Sequence, residues 1–192
     1  MSHEEAQTKT QNAQRRLVVV WGASTLTVLA IASLIVIAPL TADSQVSHSI
    51  YRAFAALCHQ LPERSYFIDG HKLAVCSRCT GLYAGFAFTM LLYPLLRPLN
   101  TIDWPPRERL ILAAVPMAID FGLTFFGIWE NTHTSRLLTG LLLGSVSVFY
   151  VMPGLAELST RKTRTSRAVL VLTSPAPMTP GPSDYSAPER RI

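Results

Sequence analysis

The sequence predicts an all-α integral membrane protein with four transmembrane helices and both termini in the cytoplasm. Three observations lead there. Hydrophobic side chains make up 49% of the 192 residues and charged ones 15%, against roughly 25% charged in an average soluble domain. Four apolar runs each approach the ~20 residues that cross the hydrocarbon core of a bilayer. Lysine and arginine are spread unevenly among the connections between those runs, and that bias sets orientation. Runs of this length are too long for barrel strands, so their backbone groups must pair within helices.

The first run, residues 17–40, has 24 residues and no charge. A cleaved signal peptide is the alternative, but its apolar region would be only ~7 to 15 residues and would end at a small-x-small site, which does not follow here. Arg15 and Arg16 then anchor the helix rather than form a twin-arginine signal. The second run, 79–96, is uncharged over 18 residues and gains a turn if residues 75–78 lie at the interface. The third, 110–129, has the length but carries Asp120 at its centre. A charge there is costly unless it is paired or faces protein, which flags it as functional. The fourth is 137–156.

Ten basic residues fall on one side of this arrangement: Lys9, Arg15, Arg16, Arg97, Arg107, Arg109, Arg161, Lys162, Arg164 and Arg167. Five fall on the other: Arg52, Arg64, Lys72, Arg78 and Arg136. The first side is therefore cytoplasmic, and the protein is expected in the cell membrane as a multi-pass chain. Three parts follow: a cytoplasmic tail over 1–16, a transmembrane domain over 17–158 with a Cys/His site between its first two helices, and a basic then Pro-rich disordered tail over 159–192. The basic run 161–167 suits anionic lipid head groups, so the net charge of +5 calls for no nucleic acid.

This topology brings the first and third connections to the same outer face. The first holds all three cysteines, Cys58, Cys76 and Cys79, with His59 and His71; the third holds "ENTHTSR". In "VCSRCTG" the two cysteines are three apart, so both thiols share one face of a helical turn, close enough to bridge or to grip one metal. Cys58, His59, Cys76 and Cys79 make the Cys3His set of structural zinc, or three ligands with an open position if the site is catalytic. Cys58 and His59 point apart on a regular helix, so one of them belongs behind the ligands. The other chemistry is redox: a C-x-x-C at a helix N-terminus beside Arg78 sits in a field that favours thiolate. Buried cysteines acting as small hydrophobes are the bland alternative.

Around the cluster, Cys76, Cys79, Tyr83 and Ala87 form one stripe at helical spacing, and Asp120, Thr124, Gly127 and Asn131 form another that is expected to face it. Gly81 with Gly85 and Gly140 with Gly144 are two G-x-x-x-G pairs, read as packing that holds the site. Asp120 is expected to carry a proton, to balance Arg78 or Arg136, or to touch substrate. Arg64, Arg78, Asn131 and Arg136 are the candidate anion contacts, with Arg136 able to grip phosphate or carboxylate with two bonds. Asp120 and Arg136 are also the candidate catalytic residues. Glu130 and His133 could join the anion contacts, with capping by Asn131 or Thr134 as the plain alternative.

The topology and the pair Cys76 and Cys79 are similar to the quinone-linked disulfide oxidases, four-helix membrane proteins with such a pair at the outer end of their second helix. Their second outer pair has no counterpart here. "CHQLPERSYFIDGHKLAVCSRCTGLYAGF", with Asp120 and "NTHTSRLLTGLLLG", resembles the bacterial and archaeal membrane proteins grouped as domain of unknown function 2085. The matching positions are Cys58, His59, Gln60, Pro62, Arg64, Ser65, Cys76, Arg78, Cys79, Gly81, Asn131, Arg136 and Gly140. That resemblance implies a multi-pass membrane protein and assigns no reaction. From the residues themselves come two expected functions: a metal-dependent membrane enzyme, with zinc as cofactor, and a thiol-disulfide oxidoreductase coupled to quinone. A metal-stabilised scaffold or transporter subunit without catalysis is the third.

Overall fold

A computed structural model describes residues 3–101 and 103–173. The chain forms two compact units, Met1–Thr160 and Arg161–Ile192. Helix α1 is His3–Leu40, α2 is Gln45–Ala55, a short hairpin pairs β1 (Phe67–Ile68) with β2 (His71–Lys72), and α3 (Ser77–Leu96), α4 (Arg107–Phe125) and α5 (His133–Thr173) follow. The protein is thus mostly helical. Among the described residues, three helices are long and apolar enough to cross a membrane: Thr10–Leu40, Ser77–Leu96 and His133–Ser159.

These elements differ from the sequence expectation in ways that have local causes. The third apolar run was expected over 110–129, but α4 starts at Arg107 and stops at Phe125. Gly127 adopts φ +67°, and its N–H and that of Ile128 bond back to the carbonyls of Thr124 and Leu123 (3.1 and 3.0 Å). A glycine in this left-handed state closes the helix end. At the other end of the chain, α5 is helical as far as Thr173, well past residue 158 where a tail was expected; the Pro-rich remainder lies outside the described residues.

The first connection is structured rather than a plain loop. Ser44 caps α2 by accepting a hydrogen bond from the Ser47 N–H (3.1 Å), satisfying one of the donors a helix start leaves open. Ile50 and Phe54, one turn apart, are buried on its inner face, and Ser47 Oγ donates to the Ala38 carbonyl of α1 (2.8 Å). In the hairpin, Phe67 pairs with Lys72 and Ile68 with His71. Asp69 and Gly70 both have positive φ, +48° and +79°, the two-residue turn that Asp-Gly favours between strands.

Helices α3 and α5 meet through their glycines. A Cβ on Gly81 would stand 2.1 Å from the Leu137 carbonyl oxygen, and one on Gly85 2.2 Å from that of Leu141. The relation is reciprocal, since a Cβ on Gly140 or Gly144 would stand 2.2 or 2.1 Å from the carbonyl oxygens of Arg78 or Leu82. Only glycine permits such backbone contact, and without a hydrophobic drive between helices in lipid, close packing supplies the attraction. Helix α1 is tied to α3 by the Trp21 indole, whose Nε1 donates to the Met90 carbonyl (2.8 Å). Two buried clusters result. Met90, Tyr93, Val148 and Met152 pack toward the C-terminal end of α3, while Ile35, Ala38, Ile50, Phe54, Cys58, Leu73, Ala74 and Val75 pack before its N-terminus.

Candidate metal centre

The second of these clusters builds the site. Cys58 leaves the end of α2, where its N–H bonds the Phe54 carbonyl (2.9 Å), and its side chain is buried. The chain then reverses at Gln60, which holds φ +52°. Three hydrogen bonds brace that turn: the Gln60 amide donates to the Tyr51 carbonyl (2.7 Å), Lys72 Nζ donates to the Gln60 carbonyl (2.7 Å), and the Tyr51 hydroxyl donates to the Lys72 carbonyl. Leu73, Ala74 and Val75 pass through the core and deliver Cys76 to the N-cap of α3. Cys79 follows in the first turn.

The three sulfurs lie within 4.8 Å of one another. All three cysteines are free thiols. The Cys76 N–H points at Cys58 Sγ (3.2 Å), a donor that stabilises negative charge on sulfur. The Cys76 thiol is pulled down to about 5, first by hydrogen bonding from the Cys79 thiol and further by the N–H groups of Cys79 and Arg78 and by Cys58, against the burial that raises it. The direction favours thiolate, the form that binds metal or attacks a disulfide. Of the expected imidazole ligands, His59 is exposed and stands outside the sulfur group; Cys58 turns into the core, so its neighbour turns away. His71 sits exposed in β2.

Beside the sulfurs is a charged network. Asp120 accepts from Arg78 Nη2 (2.6 Å) and Asn131 Nδ2 (2.7 Å) on one oxygen, and from Ser135 Oγ (2.7 Å) on the other. Asn131 uses its own Oδ1 to accept from Arg136 Nε (2.6 Å). Its backbone N–H reaches Thr124 Oγ1 (3.4 Å), so Asp120, Thr124 and Asn131 of the expected polar stripe do meet. The close of α4 at Gly127 makes this possible, because it folds Asn131 back against the helix it has just left. Arg78 also lies over the Phe121 ring, 5.8 Å from its centre, and its Nε is buried with no partner among the described residues.

Arg64 and Arg136 differ from Arg78. The Arg64 side chain makes no hydrogen bond or ion pair among the described residues, and Arg136 spends only its Nε. Arg64 is placed by its backbone: its carbonyl accepts from the buried Ser77 Oγ (2.9 Å). That donation uses the only hydrogen of Ser77, so the 2.7 Å contact between Ser77 Oγ and His133 Nδ1 requires the histidine to donate. Tyr66 completes the brace, with its hydroxyl on the His133 carbonyl (3.2 Å) and its ring 5.4 Å from the imidazole. Ser77, Ser135 and Tyr66 carried no signal in the sequence beyond their polarity.

A cavity of about 500 Å³ joins these parts. Its lining combines Cys58, Cys76 and Cys79 with Arg64, Arg78, Asn131 and Arg136 and with the apolar Leu57, Leu61, Phe121 and Phe125; His59 also borders it. Thiols, guanidinium groups and apolar surface therefore share one space.

Three apolar helices of spanning length and a cysteine cluster at the N-terminus of one define a membrane protein with a candidate metal site. Residues 58–150 match the family described as a predicted membrane protein, DUF2085. An uncharacterised protein of Methanocaldococcus jannaschii is 38% identical over 117 residues, covering 61% of this chain and 75% of the relative. Another, from Methanothermobacter thermautotrophicus, is 40% identical over 91 residues, covering 47% of this chain and 80% of the relative. The chain belongs to this membrane-protein family. No solved structure matches it.

Proposed function

We propose that this is a multi-pass protein of the cell membrane that binds zinc through Cys58, Cys76 and Cys79 and uses the site on an anionic, lipid-like substrate. The observation that carries it is the three sulfurs within 4.8 Å lining a cavity with Arg64, which has no side-chain partner among the described residues, and Arg136, which spends only its Nε. Three protein ligands leave the fourth position of tetrahedral zinc open, the arrangement of catalytic rather than structural sites. Zinc supplies Lewis acidity there. Arg64 and Arg136 are the substrate's anion contacts. Arg78 and Asn131 act one layer back, because Asp120 and Arg136 already engage them. Asp120 holds three donors and serves as the counter-charge that positions Arg78 rather than as a proton carrier. His59 borders the cavity without joining the sulfurs.

Four crossings fit this reading. Helix α4 has 19 residues, about 28 Å at 1.5 Å per residue, and Ile111, Leu112, Val115 and Ile119 are exposed along it. Its one central charge is paired with Arg78, so it does not bar the helix from lipid. With α1, α3, α4 and the first part of α5 (residues 133–159) alternating in direction, the start of α1 and residue 159 share the face of Arg97, Arg107 and Arg109. The positive-inside bias assigns that face to the cytoplasm, where the basic run 161–167 meets anionic head groups.

Metal analysis of the purified protein tests the site: one zinc per chain is expected, lost on Cys79→Ser. The free thiols of Cys76 and Cys79, with their sulfurs within 4.8 Å, favour one other reading, thiol chemistry with a quinone. There Cys76 and Cys79 would join as a disulfide, passing two electrons to the quinone, which takes up one proton from the Cys79 thiol and one from solvent. Finding no zinc, together with a thiol count that drops by two on adding quinone, would replace the metal reading with this one.

A further inference from the structure

A second cavity lies at the far end of α3, where Leu96 is 20 residues from Cys76 and so about 30 Å away along the helix axis. Its volume is about 510 Å³. The connection between α3 and α4 folds over α5 to shape it, and three contacts hold that fold. Arg97 Nη2 donates to the Asp103 carbonyl (2.6 Å). The Tyr150 hydroxyl of α5 donates to the Pro106 carbonyl (2.6 Å). Trp104 lies against α5 so closely that a Cβ on Gly154 would stand 3.3 Å from its ring.

The walls are chemically divided. Leu96, Val146 and Phe149 continue the apolar surface of the bundle, while Arg97 and Arg109 bring two guanidinium groups to the same space. Neither arginine has a carboxylate partner among the described residues. Two uncompensated cations beside an apolar wall, at the end of a helix as long as the hydrocarbon core is thick, match an amphiphile with a negative head. A free anion has no use for the apolar wall. A zwitterionic head would bring its ammonium group toward two arginines.

We propose that this cavity binds an anionic phospholipid, with its phosphate between Arg97 and Arg109 and its acyl chain along Leu96, Val146 and Phe149. Basic pockets between membrane helices select such lipids. The site is independent of the cysteine centre and of any zinc there.

Trp104 in the wall gives the readout. The full chain is placed in phosphatidylcholine nanodiscs with rising mole fractions of brominated phosphatidylglycerol, and the Trp104 signal is taken as the difference from Trp104→Phe. Quenching should saturate at a low mole fraction, and brominated phosphatidylcholine at the same fraction should quench little. Arg109→Gln, at an exposed residue whose side chain has no protein partner among those described, should raise the half-saturating fraction about fivefold. Arg107→Gln, on the same helix turn but outside the cavity, should change it less than twofold. The proposal is overturned if Arg107→Gln and Arg109→Gln act equally, since that is a general attraction of a basic face, or if phosphatidylcholine quenches as well as phosphatidylglycerol.

Discussion

Helices α3 and α5 are joined backbone to backbone, whereas α4 is held by side chains around one carboxylate. Four glycines let carbonyl oxygens of one helix fill the place of a Cβ on the other, a contact that needs no polar group. Helix α4 buries only Ala113, and its attachment near the site runs through Asp120 to Arg78, Asn131 and Ser135. The first kind of seam is rigid and insensitive to charge. The second depends on ionisation and on exact pairing of donors. The cysteine cavity touches both, with Cys76 and Cys79 at the start of α3 and Phe121 and Phe125 on α4 among its lining residues.

Breaking the rigid seam should have the largest effect. Gly81→Leu or Gly144→Leu places a side chain against backbone that cannot yield; overpacking costs about 1–3 kcal/mol and occasionally more, and these variants belong at the upper end. Either variant should lose the monodisperse species in size-exclusion chromatography. Gly22→Leu, with nothing within 4 Å of its Cβ position, should retain it.

The clasp comes next. Asp120→Leu leaves the Arg78 charge without its partner, a loss of about 3 kcal/mol or less given that Arg78 keeps 22% of its side-chain surface. Replacing both, Asp120→Leu with Arg78→Met, should recover part of the stability in a thermal unfolding scan. If the double variant is less stable than the sum of the singles, the pair is not what holds α4.

Smaller effects sharpen the picture at the sulfurs. In metal-free protein the Cys76 thiolate should alkylate at pH 6.5 nearly as fast as at pH 8, slowing only as the pH falls toward about 5; mass spectrometry of the labelled peptide reads this. An ordinary thiol would slow about tenfold per pH unit below 8. Ser77→Ala removes the hydroxyl between the Arg64 carbonyl and His133, which should cost about 1 kcal/mol of stability and leave metal content unchanged.

Much of this was legible in the sequence because hydropathy and spacing report on burial directly. The apolar runs became α1, α3 and α5, and the two G-x-x-x-G pairs became the seam between α3 and α5. The C-x-x-C spacing brought Cys76 and Cys79 together, and Asp120 was flagged by its cost in lipid and proved to be paired. Other features needed information that periodicity does not hold. The hairpin was signalled by Asp69-Gly70, but two-residue strands are too short to show alternation. Helix α2 had its cap at Ser44 and its apolar pair at Ile50 and Phe54, obscured by polar neighbours. Which of Cys58 and His59 faces the core depends on how the chain leaves α2, and the left-handed turn at Gln60 is not written in any local pattern. The division of the arginines, with Arg78 committed and Arg64 and Arg136 open, follows from three-dimensional pairing alone.

The central claim is that one metal ion is held by three thiolates with a position left for ligand. X-ray absorption at the zinc edge on the purified full chain tests it most directly. The account predicts three sulfur neighbours at about 2.3 Å and one lighter atom at about 2.0 Å. Zinc absent from protein whose three thiols are intact, or present without sulfur neighbours, would contradict it.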